Sequence, residues 1–197
     1  CSSWDVPNGS VAGMFDRMYW GRMADVKDGT SNTIAMSECQ LGQGGGPWDP
    51  NRRDPSYRVT GTGNLLQSPV IGHSRTFTNS AVDIATIRSY YDNCLSMYDS
   101  SAGGSFGNSD EQGRFWVSGR ALWASYCTTL IGPNAGPSCD NDTSVTTLDV
   151  KDPSSYHPGG AQVLKADGSV DFASETLDQG VWIAWGSAKG GESVSGP

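Results

Sequence analysis

The pattern most suggestive of catalysis is Gly-Gly-Ser-Phe-Gly around Ser105, followed later in the chain by Asp149 and His157. A G-x-S-x-G pattern with an acid and then a histidine is the chain order of the α/β-hydrolase triad. That nucleophile turn needs a strand before the serine and a helix after it, whereas residues 98–102 and 108–110 are both typical of loops. A secreted hydrolase is therefore the least favoured function for this chain.

His157 attracts attention because imidazole is the side chain whose charge ordinarily changes near neutral pH. It stands before Pro158-Gly159-Gly160, and an imidazole at the start of a β-hairpin can bond a backbone carbonyl and hold the loop. We therefore predict a structural role for His157 and no catalytic residue. The chain has only 2 histidines, which disfavours a metal cluster built on them.

Oxygen-bearing side chains alternate in the segment from Asp140 to Ser144, which makes Asp140 and Asp142 candidate calcium ligands. The EF-hand pattern is not met, because Lys151 occupies the twelfth position, where a bidentate glutamate would lie. A solvated loop capped by its own Asx side chains is the favoured interpretation. We therefore predict no cofactor and no metal, with calcium at Asp140 and Asp142 as the alternative.

Asp167-Gly168 predicts a β-hairpin, because a type I′ turn needs φ > 0 at both central positions and these residues tolerate it. The expected strands are Gln162 to Ala166 and Ser169 to Ala173. Pairing across a two-residue turn would set Lys165 opposite Val170. One face of the hairpin would then carry four residues, Val163, Lys165, Val170 and Phe172.

Two motifs carry a resemblance to a known family. One is His157-Pro158-Gly159-Gly160 with Asp167-Gly168 ten positions after the histidine, and the other is Asp28-Gly29-Thr30-Ser31-Asn32-Thr33. Together with segments 119–123, 133–139 and 187–192 they resemble the bacterial prepilin-type processing-associated H-X9-DG domain family. The likeness covers most of the chain from about Met14 onward. It implies the globular part of a pilin-like or pseudopilin-like surface protein.

The chain departs from that family in two ways. Lys165 stands where the family usually has an apolar residue, so we expect this side of the hairpin to meet water or a neighbouring subunit. Full-length members begin with a pilin-like hydrophobic helix, and a membrane span needs about 20 apolar residues. No such run precedes Cys1, so we expect this helix to be absent from the chain.

Composition indicates one globular domain over residues 1–197. The 26 glycines indicate extensive loops, whereas 7 Trp, 7 Tyr and 5 Phe supply a core. A formal net charge of −8 argues against nucleic acid and against docking on anionic lipid. The acidic, lysine-poor surface suits an extracellular or cell-surface protein.

The order of elements predicts an α+β fold, with an antiparallel sheet, one longer helix, a C-terminal hairpin and short helix, and long Gly/Pro-rich loops. Residues 33–38 read as a strand, and residues 41–63 as an irregular excursion. Apolar spacings of three and four predict a helix from Ser80 to Met97. Segments 114–117 and 121–129 favour strands, and Asp178 to Trp185 favours a final helix.

Five cysteines without a C-x-x-C pair favour disulfides over zinc. We expect Cys127 to pair with Cys139 and Cys39 with Cys94, which leaves Cys1 unpaired or joined to something outside this chain. Asn8 and Asn141 fit the N-glycosylation pattern.

These observations favour a non-catalytic structural subunit that assembles with copies of itself into a helical or lattice homopolymer. The alternative is a secreted carbohydrate- or ligand-binding module, since the chain is rich in aromatic residues and long loops. We expect no nucleic-acid partner.

Overall fold

The structure is a computed structural model that describes residues 13–15, 21–41, 58–60, 84–85, 88–89, 91–92, 95–96, 117, 127–136, 138–140 and 150–191. The regular elements with defined bounds are a 3-10 helix (Met23–Asp25), strands β1 (Ile34–Ser37), β2 (Arg58–Thr60), β3 (Ser138–Asp140), β4 (Gly160–Lys165) and β5 (Val170–Ser174), and helix α1 (Gln179–Gly186). The fold is α+β, as the sequence predicts.

The main sheet has three antiparallel strands in the order β1-β4-β5. The hairpin β4–β5 lies where Asp167-Gly168 predicts it, and β1 lies within the predicted strand 33–38. Strand β4 is central, so the hairpin β4–β5 pairs through β4 with β1 from the N-terminal part of the chain. A second sheet pairs β2 with β3 in parallel, so a short strand lies within the segment 41–63 that the sequence predicts to be largely irregular; the rest of that segment from residue 42 lies outside the described residues.

The register of the hairpin differs by one residue from the prediction, because Val170 pairs with Leu164 instead of Lys165. Lys165 N donates to Ser169 O (2.8 Å) and Gly168 N donates to Lys165 O (3.0 Å). Gly168 has φ +89°, but Asp167 is not among the residues with positive φ, so the type I′ prediction is wrong. The connection is a three-residue loop ending in a left-handed glycine.

This register divides the hairpin into a buried face and an exposed face. Ala161, Val163 and Lys165 of β4 are buried, whereas Val170 and Phe172 of β5 are exposed. Side chains alternate along a strand, so a slip of one residue moves every β5 side chain to the opposite face. The predicted grouping of Val170 and Phe172 with Lys165 is therefore wrong.

Helix α1 covers the buried face of the sheet. The Asp178 carboxylate caps its N-terminus by accepting hydrogen bonds from Gly180 N (2.8 Å) and Val181 N (3.2 Å). Both of its tryptophans belong to the core cluster, which comprises Ile34, Cys127, Val163, Ala173, Trp182 and Trp185. The predicted C-terminal helix is thus confirmed and supplies the largest side chains of the core.

The helix predicted from 80 to 97 is confirmed at its eight described positions, which are all α-helical. It lies against the start of α1, where the Ile84 side chain approaches Gly180 and the Arg88 guanidinium donates to the Gln179 side chain. Residues 127–129 are irregular and Val117 lies in a turn; the rest of the strands predicted over 114–117 and 121–129 falls outside the described residues. None of the helices described is long and apolar enough to cross a membrane.

Candidate functional site

The Asp28 carboxylate binds the segment that follows α1. Oδ2 accepts hydrogen bonds from Gly190 N (2.7 Å) and the Ser187 hydroxyl (3.1 Å), and Oδ1 accepts one from Gly191 N (2.8 Å). Hydrogen bonds to an ionised acceptor are about twice as strong as neutral ones. Asp28 therefore holds the C-terminal segment against the start of β1.

The residues after Asp28 form a turn that is stabilised by their own side chains. Gly29 has φ +96°, a left-handed conformation that favours glycine. Asn32 Nδ2 donates to the Asp28 carbonyl (3.2 Å). The Thr33 hydroxyl lies 3.1 Å from both the Gly29 and the Ser187 carbonyl oxygens. The predicted turn is therefore also a long-range contact.

The same turn contacts the loop of the hairpin. Asp167 N donates to Thr30 O (3.1 Å), Ala166 N donates to Thr33 O (2.9 Å), and Lys27 N donates to Ala188 O (2.6 Å). Three motifs that are far apart in the sequence thus meet at one place. We call this place the signature junction, and it consists of residues 28–33, 166–168 and 187–191.

His157 lies at the start of the hairpin, as predicted, but its contact is with a carboxylate and not with a backbone carbonyl. Its Nε2 lies 3.3 Å from Glu38 Oε1, and Glu38 Oε2 accepts the Gln162 amide at 2.9 Å. Burial raises the pKa of the Glu38 carboxyl, but the Gln162 amide, Ser155 and His157 together lower it, and the net pKa lies below its usual value. His157 is exposed and connects to β4 through Glu38.

Asn134 provides a second support for the start of the hairpin. It has φ +56°, a left-handed conformation that asparagine tolerates better than most residues. Its side chain donates to Gly160 O (3.2 Å) and accepts from Ser155 N (2.8 Å). The Pro-Asn-Ala-Gly segment at 133–136 therefore fixes the loop before β4.

Lys165 is buried in the core, which overturns the expectation that its side of the hairpin meets water or a neighbouring subunit. Only 6% of the residue is exposed. Its Nζ lies 2.7 Å from Asp171 Oδ2 and 4.5 Å from the centroid of the Trp185 ring. The ammonium group is thus satisfied by a carboxylate and an aromatic face, and it can occupy a position on the apolar side.

Asp152 is a buried acid that sequence reasoning missed. The Tyr91 hydroxyl donates to its Oδ2 at 3.1 Å. Burial raises the pKa of the Asp152 carboxyl well above its usual value, although the Tyr91 hydrogen bond opposes this shift. Ser154, two residues further along the chain, accepts a hydrogen bond from Gln40 N at its hydroxyl (2.9 Å).

Several candidates from the sequence lie outside the described residues, namely Ser105, Asp149, Asp142, Asn8, Asn141, Cys94 and the side chains of Asp140 and Cys139. Among the side chains that are described, no three His, Cys, Asp or Glu residues lie close enough to hold a metal ion. Cys39 carries a thiol 3.6 Å from the Gln40 carbonyl oxygen, so the predicted Cys39–Cys94 disulfide is not formed. The Cys127–Cys139 pairing stays a prediction.

One of the missed residues, Asn134, left a signal in the sequence. Glu38 left none, because its contact with His157 depends on the pairing of β1 with β4. Asn134 stands between proline and a small residue, where a left-handed asparagine is common in turns. Asp152 left none, because its burial depends on residues far away in the sequence.

A family model described as "Protein of unknown function (DUF1559)" matches residues 3–180. The match covers both the Asp28 motif and the hairpin, and it ends within α1. Searches of curated proteins and of solved structures found no match.

Proposed function

The chain belongs to the family described as a protein of unknown function (DUF1559), and on that premise we propose that it is a non-catalytic structural subunit of an extracellular, pilus-like filament or surface assembly. The proposal includes copies of the chain as its partners. We further propose that the domain serves as the globular part of a pilin-like subunit, as its resemblance to the H-X9-DG proteins implies.

The use of the signature residues supports this proposal most directly. Asp28 holds backbone amides of the C-terminal segment, and Asn32 and Thr33 donate to backbone carbonyls. An active site instead presents its acid, base or nucleophile toward a space that a substrate can enter. Side chains that bond the backbone stabilise a shape, and a stable, repeated shape is what a filament subunit requires.

Electron microscopy tests the proposal. Purified protein with its native N-terminus, concentrated and stained negatively, is expected to show fibres or sheets with a regular repeat. The Asp28→Ala variant is the control, since it loosens the domain without changing its surface elsewhere and is expected to give fewer or irregular assemblies. A protein that stays monomeric over the whole concentration range contradicts the proposal.

A ligand-binding module is the second candidate, and one observation favours it. Tyr156 is 74% exposed and stands next to His157, which gives this loop an aromatic surface of the kind on which sugars stack. A glycan array with the parent protein and with Tyr156→Ala tests this function. Hits that disappear in the variant support it, and an array without hits removes it.

A further inference from the structure

Strand β5 is at the edge of the main sheet, and one row of its backbone groups faces outward. Lys165 N donates to Ser169 O, and Glu175 N donates to Gly159 O (2.9 Å), so odd-numbered residues bond across the hairpin. In an antiparallel ladder the alternate residues point their N–H and C=O groups the other way. The amide and carbonyl groups of Val170 and Phe172 therefore face the open edge, which no strand of the described chain covers.

The exposed face of the sheet is apolar and uncharged near this edge. Met36, Leu164 and Val170 form one row across the three strands, and Phe172 follows on β5. Met36 is 57% exposed, Val170 61% and Phe172 44%. Exposed apolar side chains beside an open strand edge are the usual features of a surface that adds another strand.

The charged residues in and next to β5 favour one register for a second copy at this edge. Antiparallel pairing of β5 with itself can be centred on Asp171, Phe172 or Ala173. Centring on Asp171 sets two carboxylates opposite each other, and centring on Ala173 sets Asp171 opposite Glu175 of the second copy. Like charges directly opposite are destabilising. Centring on Phe172 avoids both contacts, because Asp171 then lies opposite Ala173.

We propose that β5 pairs antiparallel with β5 of a second copy about a two-fold axis at Phe172, forming one continuous six-stranded sheet. The proposal deepens the proposed function and rests on it for the second copy as partner. In this arrangement Phe172 exchanges backbone hydrogen bonds with its own copy, and Val170 does so with Ser174. On the exposed face Val170 then lies beside Ser174 of the second copy and Phe172 beside Phe172, so two chains of net charge −8 meet there through uncharged side chains.

The pair has a defined place in an assembly. A two-fold contact closes on itself, so a filament requires another contact elsewhere on the surface. A stable interface buries about 800 Å² on each partner, which exceeds what one short strand and three apolar side chains supply. The β5 pair is therefore weak in dilute solution and becomes stable when many contacts act together.

Disulfide trapping tests the register directly. In the proposed pair the two Phe172 Cα atoms lie about 5.5 Å apart, which suits a disulfide. The two Val170 Cα atoms lie about 14 Å apart, which does not. Under mild oxidation at high protein concentration, Phe172→Cys is expected to form a covalent dimer, whereas Val170→Cys and the parent protein stay monomeric on a non-reducing gel. A mixture of Val170→Cys with Ser174→Cys is expected to form the mixed dimer.

Equal dimer formation by Phe172→Cys and Val170→Cys, or none by either Phe172→Cys or the mixture, overturns the β5 pairing. Circular dichroism of each variant shows that the domain is folded, so a missing dimer cannot be assigned to unfolding. The two proposals fail separately. Fibres without the Phe172 dimer leave the filament function standing with a different contact, and the dimer without fibres leaves the pairing standing without the filament.

Discussion

Replacing Asp28 by alanine removes the acceptor that joins the first signature motif to the C-terminal segment. Three hydrogen bonds to the carboxylate are lost. Ser187 is buried, so losing the hydrogen bond from its hydroxyl is costly, whereas the exposed amides of Gly190 and Gly191 can bond water instead. Hydrogen bonds to charged groups contribute about 1.5–3 kcal/mol each when buried and less when water replaces them. We expect Asp28→Ala to lower the free energy of unfolding by about 2.5 kcal/mol, or the midpoint temperature by roughly 5–10 °C.

Urea unfolding and hydrogen exchange together measure this effect. The amides of Gly190 and Gly191 are expected to exchange faster in Asp28→Ala. Asp28→Asn is expected to be no rescue, because both carboxylate oxygens accept N–H groups and an amide offers only one acceptor. The matched control is Asp25→Ala, a half-buried carboxylate bonded to the neighbouring Arg22, for which we expect a clearly smaller loss than for Asp28→Ala. Unchanged stability in Asp28→Ala, with full exchange protection at both glycines, would refute the reasoning.

Three further substitutions test other parts of the fold. Gly160→Ala is expected to lower the free energy of unfolding by about 3 kcal/mol or more, because the added Cβ would collide with the β5 backbone. Gly159→Ala meets open space and is expected to lower it by only about 1–2 kcal/mol, through left-handed backbone strain. Urea unfolding compares the two variants. Lys165→Met is expected to stay within about 1.5 kcal/mol of the parent and Lys165→Ala to lose about 2–4 kcal/mol, because the aliphatic stem fills space beside Trp185; equal losses would assign the role to the charge. Because burial raises the pKa of Asp152, the folded state keeps a proton that the unfolded state releases, so stability falls as pH rises above 3.8, with a slope of up to about 1.4 kcal/mol per pH unit. Asp152→Asn is expected to flatten this decline in urea unfolding between pH 4 and 7, and parallel curves for variant and parent would exclude it.

The position of the hairpin is predictable from sequence because Asp-Gly strongly favours a tight connection, but its register is not. Asp-Gly fits both a two-residue type I′ turn and a three-residue loop with a left-handed glycine. In the structure, Asp167 Oδ1 accepts from Ser169 N (2.9 Å) and the Ser169 hydroxyl (2.6 Å). This local bonding, together with the contact between Asp167 N and Thr30 O, favours the longer loop. The second contact is long-range and leaves no local pattern.

The burial of Lys165 shows the same limit. A lysine on a strand ordinarily indicates a solvated side, and here the partners that permit burial are Asp171, across the hairpin, and Trp185, on the helix. Local sequence signals correctly located α1 and β1, because a helix cap and the alternation of side chains along a strand depend only on neighbouring residues. The pairing of His157 with Glu38 could not be derived, because it requires knowing that β1 lies beside β4.

The signature junction also has a consequence for how fast and in what order the chain folds. Asp28 and its amide partners Gly190 and Gly191 are 162 and 163 positions apart. Closing so large a loop has a high entropic cost, and proteins dominated by such distant contacts fold slowly. During synthesis the Asp28 turn is made early, but its carboxylate lacks the donors Ser187, Gly190 and Gly191 until residues 187–191 have been made. Formation of the signature junction is therefore a late folding step. A nascent chain that stops before residue 187 lacks the hydrogen bonds that residues 187–191 make with Asp28 and Thr33, just before β1.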